Sequence, residues 1–392
     1  MKKILKIFKF FIKKKYYFDL PSTKRLVLIN SAGYKYLNQA LDEELYLIDL
    51  NKSLNLQIII KVFFKCLIKK NLDPYVEEYL EHLKPEAVFC YAHNYMQFFR
   101  INKNKNIKYI VIQNGKNHGN SLFSVFDKKK TSKNFKCDLF FCHGEYDKKI
   151  CEKLVKAKYV KIGSFLNNSI KKQKKKYKKT ICYLSTYRNL KNQSYSSSHS
   201  MGKDMSFEDW YKIDRIIVNF LCEYCKEKKF KLKILGSTNP VGKLSFNEDI
   251  FYKKNIKLKN WNYLPKKTFK TNYINIDENE ITCFIDSSLG YESMARKNKV
   301  AIFAVRGDFC KIQNFNFHNN YLPKKGLFWT SVFDQKKFRQ ILDSLIKIKK
   351  NKWEKELKKY NETIIKFDEG NKIFFNTLKK YNIKTNRNYF FF

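Results

Sequence analysis

The sequence predicts an α/β protein built from two domains, each a parallel sheet covered by helices. Three observations support this prediction. The chain has 392 residues, which exceeds the usual size of one domain. Short apolar runs alternate with stretches of helical spacing, the pattern of a parallel sheet buried on both faces. This alternation stops at a lysine-rich stretch, residues 166–180, and then starts again.

The strands of the first domain are predicted from runs that are continuously apolar rather than alternating, as expected for strands buried on both sides. A helix with Val76, Tyr79 and Leu83 on one face precedes the third strand, and Pro85 ends it. The predicted strands are Lys24–Asn30, Glu44–Asp49, Ala87–Tyr91, Ile107–Gly115, Cys137–Glu145 and Tyr159–Ser164.

The second domain repeats the pattern, with a long helix whose apolar face runs from Ile213 to Tyr224. Its predicted strands are Thr180–Thr186, Lys231–Ser237, Tyr273–Ile276, Ile281–Ile285 and Val300–Val305. We expect a basic amphipathic segment at 1–20, the first Rossmann-like domain at 21–168, a lysine-rich linker at 169–179, the second Rossmann-like domain at 180–346 and a helical tail at 347–392. A cleft is expected between the domains.

The composition is strongly basic, with a net charge of +44. The basic residues are 72 lysines and only eight arginines, whereas phosphate recognition favours arginine. Compositional drift and a nucleic-acid footprint are both open, but no nucleic-acid motif accompanies the charge, so no nucleic-acid partner is expected. In either case, the positive electrostatic field of the protein favours anionic ligands and anionic membrane surfaces.

The ten cysteines follow no framework or metal spacing, which predicts free thiols in a reducing cytoplasm. Residues 1–18 alternate lysines with apolar and aromatic residues and contain neither a membrane span nor a signal sequence. They are predicted either to rest on an anionic membrane surface, on the inner face of the cytoplasmic membrane, or to pack against the protein body.

Because open α/β sheets bind ligands at the carboxyl ends of their strands, the residues after each strand are the candidates for a site. Ile281–Ile285 is followed by Asp286, Ser287, Ser288, Leu289 and Gly290, and then by a helix predicted over Tyr291–Lys299. The amide groups of a helix N-terminus bind phosphate, the serines add donors, and Gly290 would let an anion approach.

Glu292 lies one turn into that helix, where a carboxylate can accept hydrogen bonds from ribose hydroxyls. The structural alternative is that Ser288 is an N-cap and that Glu292 pairs with Arg296. The predicted nucleotide-binding set is Ser185, Thr186, Arg188, Gly236, Asp286, Ser287, Ser288, Gly290, Tyr291 and Glu292. For Arg188 a surface position, and for Gly236 an ordinary strand-exit turn, are the alternatives.

In the first domain, the string IQNGKNHG ends a strand and places amides beside two glycines. Gln113, Asn114, Gly115 and Asn117 are the predicted acceptor-binding residues, because amides can bind hydroxyls. One of His118, His93 or Glu145 is a candidate general base, although a loop histidine can also cap a turn. No Asp-x-Asp ends a strand, so no metal is expected.

The strings VIQNG, KIGSFLNN, YLSTYR, EDIFY, IDSSLGYESMARKNKVAIF and GLFWT occur in this order between Ile107 and Thr330. Together they resemble the surface-carbohydrate (polysaccharide) biosynthesis proteins of bacteria, a group related to GT-B glycosyltransferases. One departure is that QNG is followed by Lys116, Asn117 and His118 where an arginine is expected.

The resemblance implies a GT-B fold with the donor nucleotide on the second domain and the acceptor on the first. It implies a metal-independent glycosyltransferase that moves a sugar from a nucleotide-activated donor to a lipopolysaccharide or capsule precursor at the cytoplasmic membrane face. The nucleotide sugar is then a substrate, and no cofactor is expected. Two alternatives are a polyol-phosphate transferase of the CDP-glycerol type and a non-catalytic protein that binds polyanions or membrane surfaces.

Overall fold

The computed structural model describes residues 14–69, 71–101, 103–116, 135–187, 195–196, 204–205, 207–237, 243–311 and 323–386. Within them, the chain forms two six-stranded sheets in which all neighbouring strands are parallel. The predicted α/β class with two Rossmann-like domains is confirmed.

The first sheet is built from four- to eight-residue strands, and in β2 and β5 every side chain is buried. The strands of this part are β1 Lys15–Tyr17, β2 Leu26–Ile29, β3 Leu45–Ile48, β4 Ser53–Asn55, β5 Ala87–Cys90, β6 Lys108–Ile112, β7 Phe135–Cys142 and β8 Val155–Lys161. The sheet order is β3-β2-β5-β6-β7-β8, and β1 pairs with β4 beside it.

Helices cover both faces of this sheet, as the buried strands require. The third of them ends at Leu83 because Lys84 adopts a left-handed conformation before Pro85. The helices are α1 Tyr34–Ala40, α2 Leu56–Lys69, α3 Asp73–Leu83, α4 Met96–Arg100, α5 Glu145–Cys151 and α6 Phe165–Asn168.

The second sheet has a different strand order. Its region contains β9 Thr180–Leu184, β10 Tyr195–Ser196, β11 Asp204–Met205, β12 Lys231–Leu235, β13 Trp261–Leu264, β14 Ile281–Phe284, β15 Lys299–Phe303 and β16 Trp329–Thr330. Its helices are α7 Phe207–Lys228, α8 Lys243–Asn255, α9 Phe269–Glu278, α10 Ser288–Ala295 and α11 Arg306–Phe309. The sheet order is β13-β12-β9-β14-β15-β16, so the chain reverses direction across the sheet between β9 and β14. Ligands of such sheets bind at this switch point.

The C-terminal helices connect the two domains. They are α12 Gln335–Lys347, α13 Lys350–Ile364 and α14 Lys372–Lys380. Trp353 of α13 packs on Phe328 of the second domain, with ring centroids 5.1 Å apart. Phe374 of α14 packs on Phe141 and Phe165 of the first domain, at 4.8 and 4.9 Å. The helix α14 therefore packs against the first domain.

Two predictions about the second domain are wrong. Tyr273–Ile276 was predicted as a strand but lies inside α9, where a capping box between Thr268 and Thr271 starts the helix. The short apolar run is thus the buried face of a helix, an ambiguity that periodicity alone does not resolve. The helix predicted to start at Tyr291 instead starts at Ser288.

Residues 171–179 of the predicted linker contain no helix or strand. They lie along the second domain, since Gln173 and Tyr177 donate backbone hydrogen bonds to Asp277 and Glu278. Across the described part of the chain, every helix is too short or too polar to span a bilayer.

Candidate functional site

The carboxyl end of β14 meets the carboxyl end of β6 across the two domains. The backbone N–H of Lys116 donates to the Ser288 hydroxyl at 3.1 Å. A Cβ placed on Gly115 would lie 3.7 Å from the same oxygen. Residues 286–289 are only half-buried, so the loop is not filled by neighbouring side chains and remains partly accessible. The predicted nucleotide loop therefore faces the first domain.

The two serines stand at the start of α10. Ser287 is the N-cap residue, and its side chain makes no capping hydrogen bond. The first N–H groups of a helix lack helical acceptors, and the helix dipole adds partial positive charge there. The Ser288 hydroxyl accepts from Lys116, and a hydroxyl that accepts can still donate its own proton. Hydroxyls and amides of this kind form a donor set suited to a phosphate group.

Gly290 and Tyr291, in the first turn of α10, both pack against the second domain. A Cβ on Gly290 would lie 2.3 Å from the Phe284 ring, and the Gly290 N–H donates to the Ser287 carbonyl at 3.0 Å. The glycine thus lets α10 pack closely on β14, and the approach of an anion to Gly290 stays a prediction. Tyr291 is also fully buried, with its ring 4.9 Å from that of Phe284, and its nucleotide contact stays a prediction as well.

Glu292 is buried where the domains meet. Its carboxylate accepts a hydrogen bond from the Tyr273 hydroxyl at 2.8 Å and another from the Ser164 hydroxyl of the first domain. Burial raises the pKa of Glu292. The Arg296 side chain points elsewhere, with its Nε 2.9 Å from Asp277 Oδ1, so the alternative of a Glu292–Arg296 pair does not account for this carboxylate.

Arg306, which sequence reasoning missed, joins the ends of three strands. Its guanidinium donates to Asp286 at 2.6 Å, to Asp214 at 3.0 Å and to the Thr186 hydroxyl at 3.2 Å. It is 1% exposed. Asp286 and Thr186, both predicted to contact the nucleotide, are thus bound to this cation. The available signal was its position directly after the apolar run Val300–Val305.

Ser185 and Gly236 both make packing or hydrogen-bond contacts at strand ends of the second domain, and their nucleotide contacts stay predictions. The Ser185 hydroxyl accepts from the Tyr187 N–H at 3.1 Å and from the Tyr252 hydroxyl at 2.7 Å, and its side chain is buried. A Cβ on Gly236 would lie 2.3 Å from the Tyr263 hydroxyl. These contacts favour the alternative of an ordinary strand-exit turn for Gly236.

The side-chain amide of Gln113 is hydrogen-bonded within the first domain. Its amide nitrogen donates to Gly115 O and to Asp147 Oδ1, both at 2.9 Å, and its oxygen accepts from the His143 N–H. The side chain is 1% exposed and bonded at both ends, and its role in binding acceptor stays a prediction. Asn114 is exposed, and Gly115 borders Ser288. Asn117, His118 and Arg188 lie outside the described residues.

Among the candidate bases, His93 has the better environment. It is buried at the end of β5, and its Nδ1 lies 3.1 Å from Asn114 Oδ1. An amide oxygen only accepts, so Nδ1 donates this hydrogen bond, and in a neutral ring Nε2 would then carry the lone pair. Glu145 is instead paired with Lys161 at 3.1 Å, and the hydrogen bond from Lys161, with Lys148 nearby, lowers the pKa of Glu145. That makes Glu145 a weak base.

His143 is a second buried imidazole that the sequence analysis did not select. It follows β7 and is 1% exposed, and neither ring nitrogen has a hydrogen-bond partner among the described residues. Burial lowers its pKa to about 3, so the ring is neutral. The described part of the chain holds no group of three His, Cys, Asp or Glu residues that could bind a metal ion.

A family described as "putative O-antigen biosynthesis protein" matches residues 88–382. The match covers most of the chain and confirms the resemblance to surface-carbohydrate biosynthesis proteins. No curated protein sequence matches the chain.

Several solved structures are similar to this one. The wall teichoic acid polymerase TagF is 11% identical, with a TM-score of 0.48, over 92% of this chain and 90% of that one. TarM is 13% identical, with a TM-score of 0.45, over 80% of this chain. The alignment spans only 60% of TarM. The UDP-GlcNAc 2-epimerase of Methanocaldococcus jannaschii, solved with UDP-GlcNAc and UDP, is 11% identical, with a TM-score of 0.43, over 86% and 94% of the two chains.

Proposed function

Because the chain belongs to this O-antigen biosynthesis family, we propose that it is a glycosyltransferase that moves a sugar from a nucleotide-activated donor to a surface polysaccharide or lipopolysaccharide precursor. One observation carries the proposal: the start of α10, at the switch point of the second sheet, faces the end of β6 in the first domain, with Ser288 and Lys116 in contact. A donor bound there lies between the two domains.

The diphosphate of the donor binds the first amides of α10 and the hydroxyls of Ser287 and Ser288. Asp286 would repel a diphosphate, but its ion pair with Arg306 offsets the charge. As the bond between the anomeric carbon and the phosphate oxygen breaks, the negative charge that develops on the leaving nucleoside diphosphate is stabilised by these fixed donors.

In this proposal Glu292, one turn beyond Ser288, accepts hydrogen bonds from the ribose hydroxyls in addition to those from Tyr273 and Ser164. On the acceptor side, the oxygen of an acceptor hydroxyl forms the new bond to the anomeric carbon and loses its proton to His93 Nε2. Asn114 supports this role because it holds the His93 tautomer with the lone pair on Nε2.

The proposal also includes the cellular location of the protein. The ten cysteines are all free and buried, which suits a reducing cytoplasm. Residues 1–18 and the basic surface would hold the protein on the inner face of the cytoplasmic membrane, where lipid-linked precursors are elongated.

A thermal-shift screen against nucleoside diphosphates tests the donor site. We expect one base to raise the Tm selectively, and we expect Ser288→Ala to weaken that nucleotide about fivefold through one lost hydrogen bond. Ser344→Ala, a half-buried serine of α12, is the matched control and should bind as wild type.

The same assay separates the alternatives. A response to a CDP-glycerol donor but to no nucleotide sugar would assign the polyol-phosphate reaction. Stabilisation by any polyanion, falling steeply with salt and without preference for a base, would refute both transferase assignments.

A further inference from the structure

The exposed large hydrophobic side chains are concentrated on one surface of the first domain. Six such side chains are exposed in the described residues, and only Leu327 lies in the second domain. The other five are Tyr16, Phe18, Ile60, Phe64 and Ile68. Ile60, Phe64 and Ile68 are 71, 75 and 80% exposed, which is unusual for side chains of this size.

The three residues of α2 form a row, because positions four apart share one face of a helix. The opposite face, with Ile58, Val62 and Cys66, is buried in the domain core, so the exposed row is additional to the packing face. Beside it runs a second row of exposed lysines. These lysines are Lys61, Lys65 and Lys69, and α2 itself contains no acidic residue. Lys61 and Lys69 also pair with Glu78 and Glu77 of α3, at 3.8 and 3.4 Å, in exposed positions where such pairs are weak.

Phe18 extends the apolar row at its N-terminal end. The side-chain amides of Asn55 and Gln57 donate to the Phe18 carbonyl, at 3.4 Å for Asn55 and 2.9 Å for Gln57. The pairing of β1 with β4 holds Tyr16 and Phe18 next to the start of α2. We call Tyr16, Phe18, Ile60, Phe64 and Ile68 the α2 surface.

We propose that the α2 surface docks onto an anionic lipid bilayer, with its apolar row among the acyl chain ends and its lysines at the headgroups. An apolar row beside a basic row is the arrangement of helices that lie in a membrane interface. A second copy of the chain is disfavoured as the occupant, since a twofold contact here would bring lysine rows of two strongly basic chains together. The inference shares the membrane location with the proposed function but does not depend on the donor.

A fluorescent label tests the contact directly. All ten native cysteines are buried, so a surface cysteine can be labelled selectively. Ile68→Cys and Leu327→Cys, each carrying an environment-sensitive dye, are mixed with vesicles of phosphatidylglycerol and phosphatidylcholine or of phosphatidylcholine alone. We expect a blue shift only for Ile68→Cys and only with the anionic vesicles. An unchanged spectrum at Ile68 while the protein sediments with vesicles would overturn the proposal, because residues 1–13 would then bind alone.

A second measurement uses unlabelled full-length protein. The triple variant Ile60→Gln, Phe64→Gln, Ile68→Gln should partition onto the anionic vesicles at least about tenfold more weakly, whereas Leu327→Gln should match wild type. Nucleotide-induced thermal shifts should be the same in all three proteins, so a failure here is separate from a failure of the donor site. Unchanged partitioning, or a wild-type dimer in gel filtration that the triple variant loses, would contradict lipid docking.

Discussion

In the first domain Lys116 binds Asp147 and the Ile364 carbonyl, whereas in the second domain Arg306 binds Asp214, Asp286 and Thr186. Both cations are buried at the carboxyl ends of parallel strands. A guanidinium has a planar set of five donors, so Arg306 can tie several strand ends together, while an ammonium acts as a point charge. The strand ends of the second domain are therefore held together by Arg306.

Lys116 connects different parts of the structure from those that Arg306 connects. Through Ile364 it ties the end of β6 to α13, which also packs on the second domain through Trp353. The loop that touches Ser288 is thus positioned by the C-terminal helices as well as by its own domain. Arg306 therefore holds together strand ends of one domain, whereas the position of the loop after β6 depends on both domains.

Replacing the arginine should have the largest effect. Arg306→Leu leaves Asp214 and Asp286 without their cation, which we expect to lower the free energy of unfolding by about 3–5 kcal/mol in urea denaturation. Arg339→Leu, which removes a pair with Glu227 on the surface, should cost no more than about 1 kcal/mol. Equal effects of the two substitutions would show that Arg306 does not organise the strand ends.

Replacing Lys116 should have a smaller effect than replacing Arg306. Lys116→Met should lower the free energy of unfolding by about 3 kcal/mol, because it removes the cation from one buried carboxylate, Asp147, rather than from two. Lys148→Met, in an exposed pair with Glu145, is the control. Urea denaturation measures the stability. Since Lys116 joins β6 to α13, limited proteolysis should also cut the Lys116→Met protein faster between 347 and 371. Unchanged proteolysis would argue against coupling through Ile364.

Two glycines near the contact between Lys116 and Ser288, one in each domain, provide a matched pair. Gly290→Ala forces a Cβ against the Phe284 ring and should cost about 1–3 kcal/mol. Gly115→Ala places its Cβ at ordinary contact distance from Ser288 and should change the free energy of unfolding by less than about 0.5 kcal/mol. Thermal or urea denaturation distinguishes them. A destabilised Gly115→Ala would mean that the cleft is tighter than the structure indicates.

The smallest effect concerns pH. Burial raises the pKa of Glu292, so the folded protein binds this proton more tightly than the unfolded chain does. The contribution of Glu292 to stability is then greatest below its ordinary pKa of about 4.3 and falls as pH rises to the folded pKa. The Glu292→Gln side chain does not titrate, so this variant does not lose stability in that way. As pH rises from about 4.3 to the folded pKa of Glu292, its free energy of unfolding in urea should therefore increase relative to that of wild type. A difference that does not vary with pH would contradict a raised pKa.

Several features of the site required the fold before they could be interpreted. The strand-end rule selected the loop at Asp286–Ser288 correctly as a surface facing the other domain, because apolar run lengths reveal parallel strands and their ends. The same rule could not distinguish Gly290 and Gly236, which make room for packing, from glycines that approach a ligand. A glycine in the sequence carries no record of the ring or hydroxyl that fills the space beside it.

By itself the sequence determined the α/β class, the order of most strands along the chain and the position of the loop at the start of α10. These depend on local periodicity, turn residues and helix capping, which act over a few residues. Only the tertiary structure decided that Gln113 is inward, that Arg306 neutralises Asp286 and that Lys116 reaches a carbonyl 248 positions away. Such contacts depend on how strands are ordered within a sheet and how the last helices return, and burial then makes their partners obligatory.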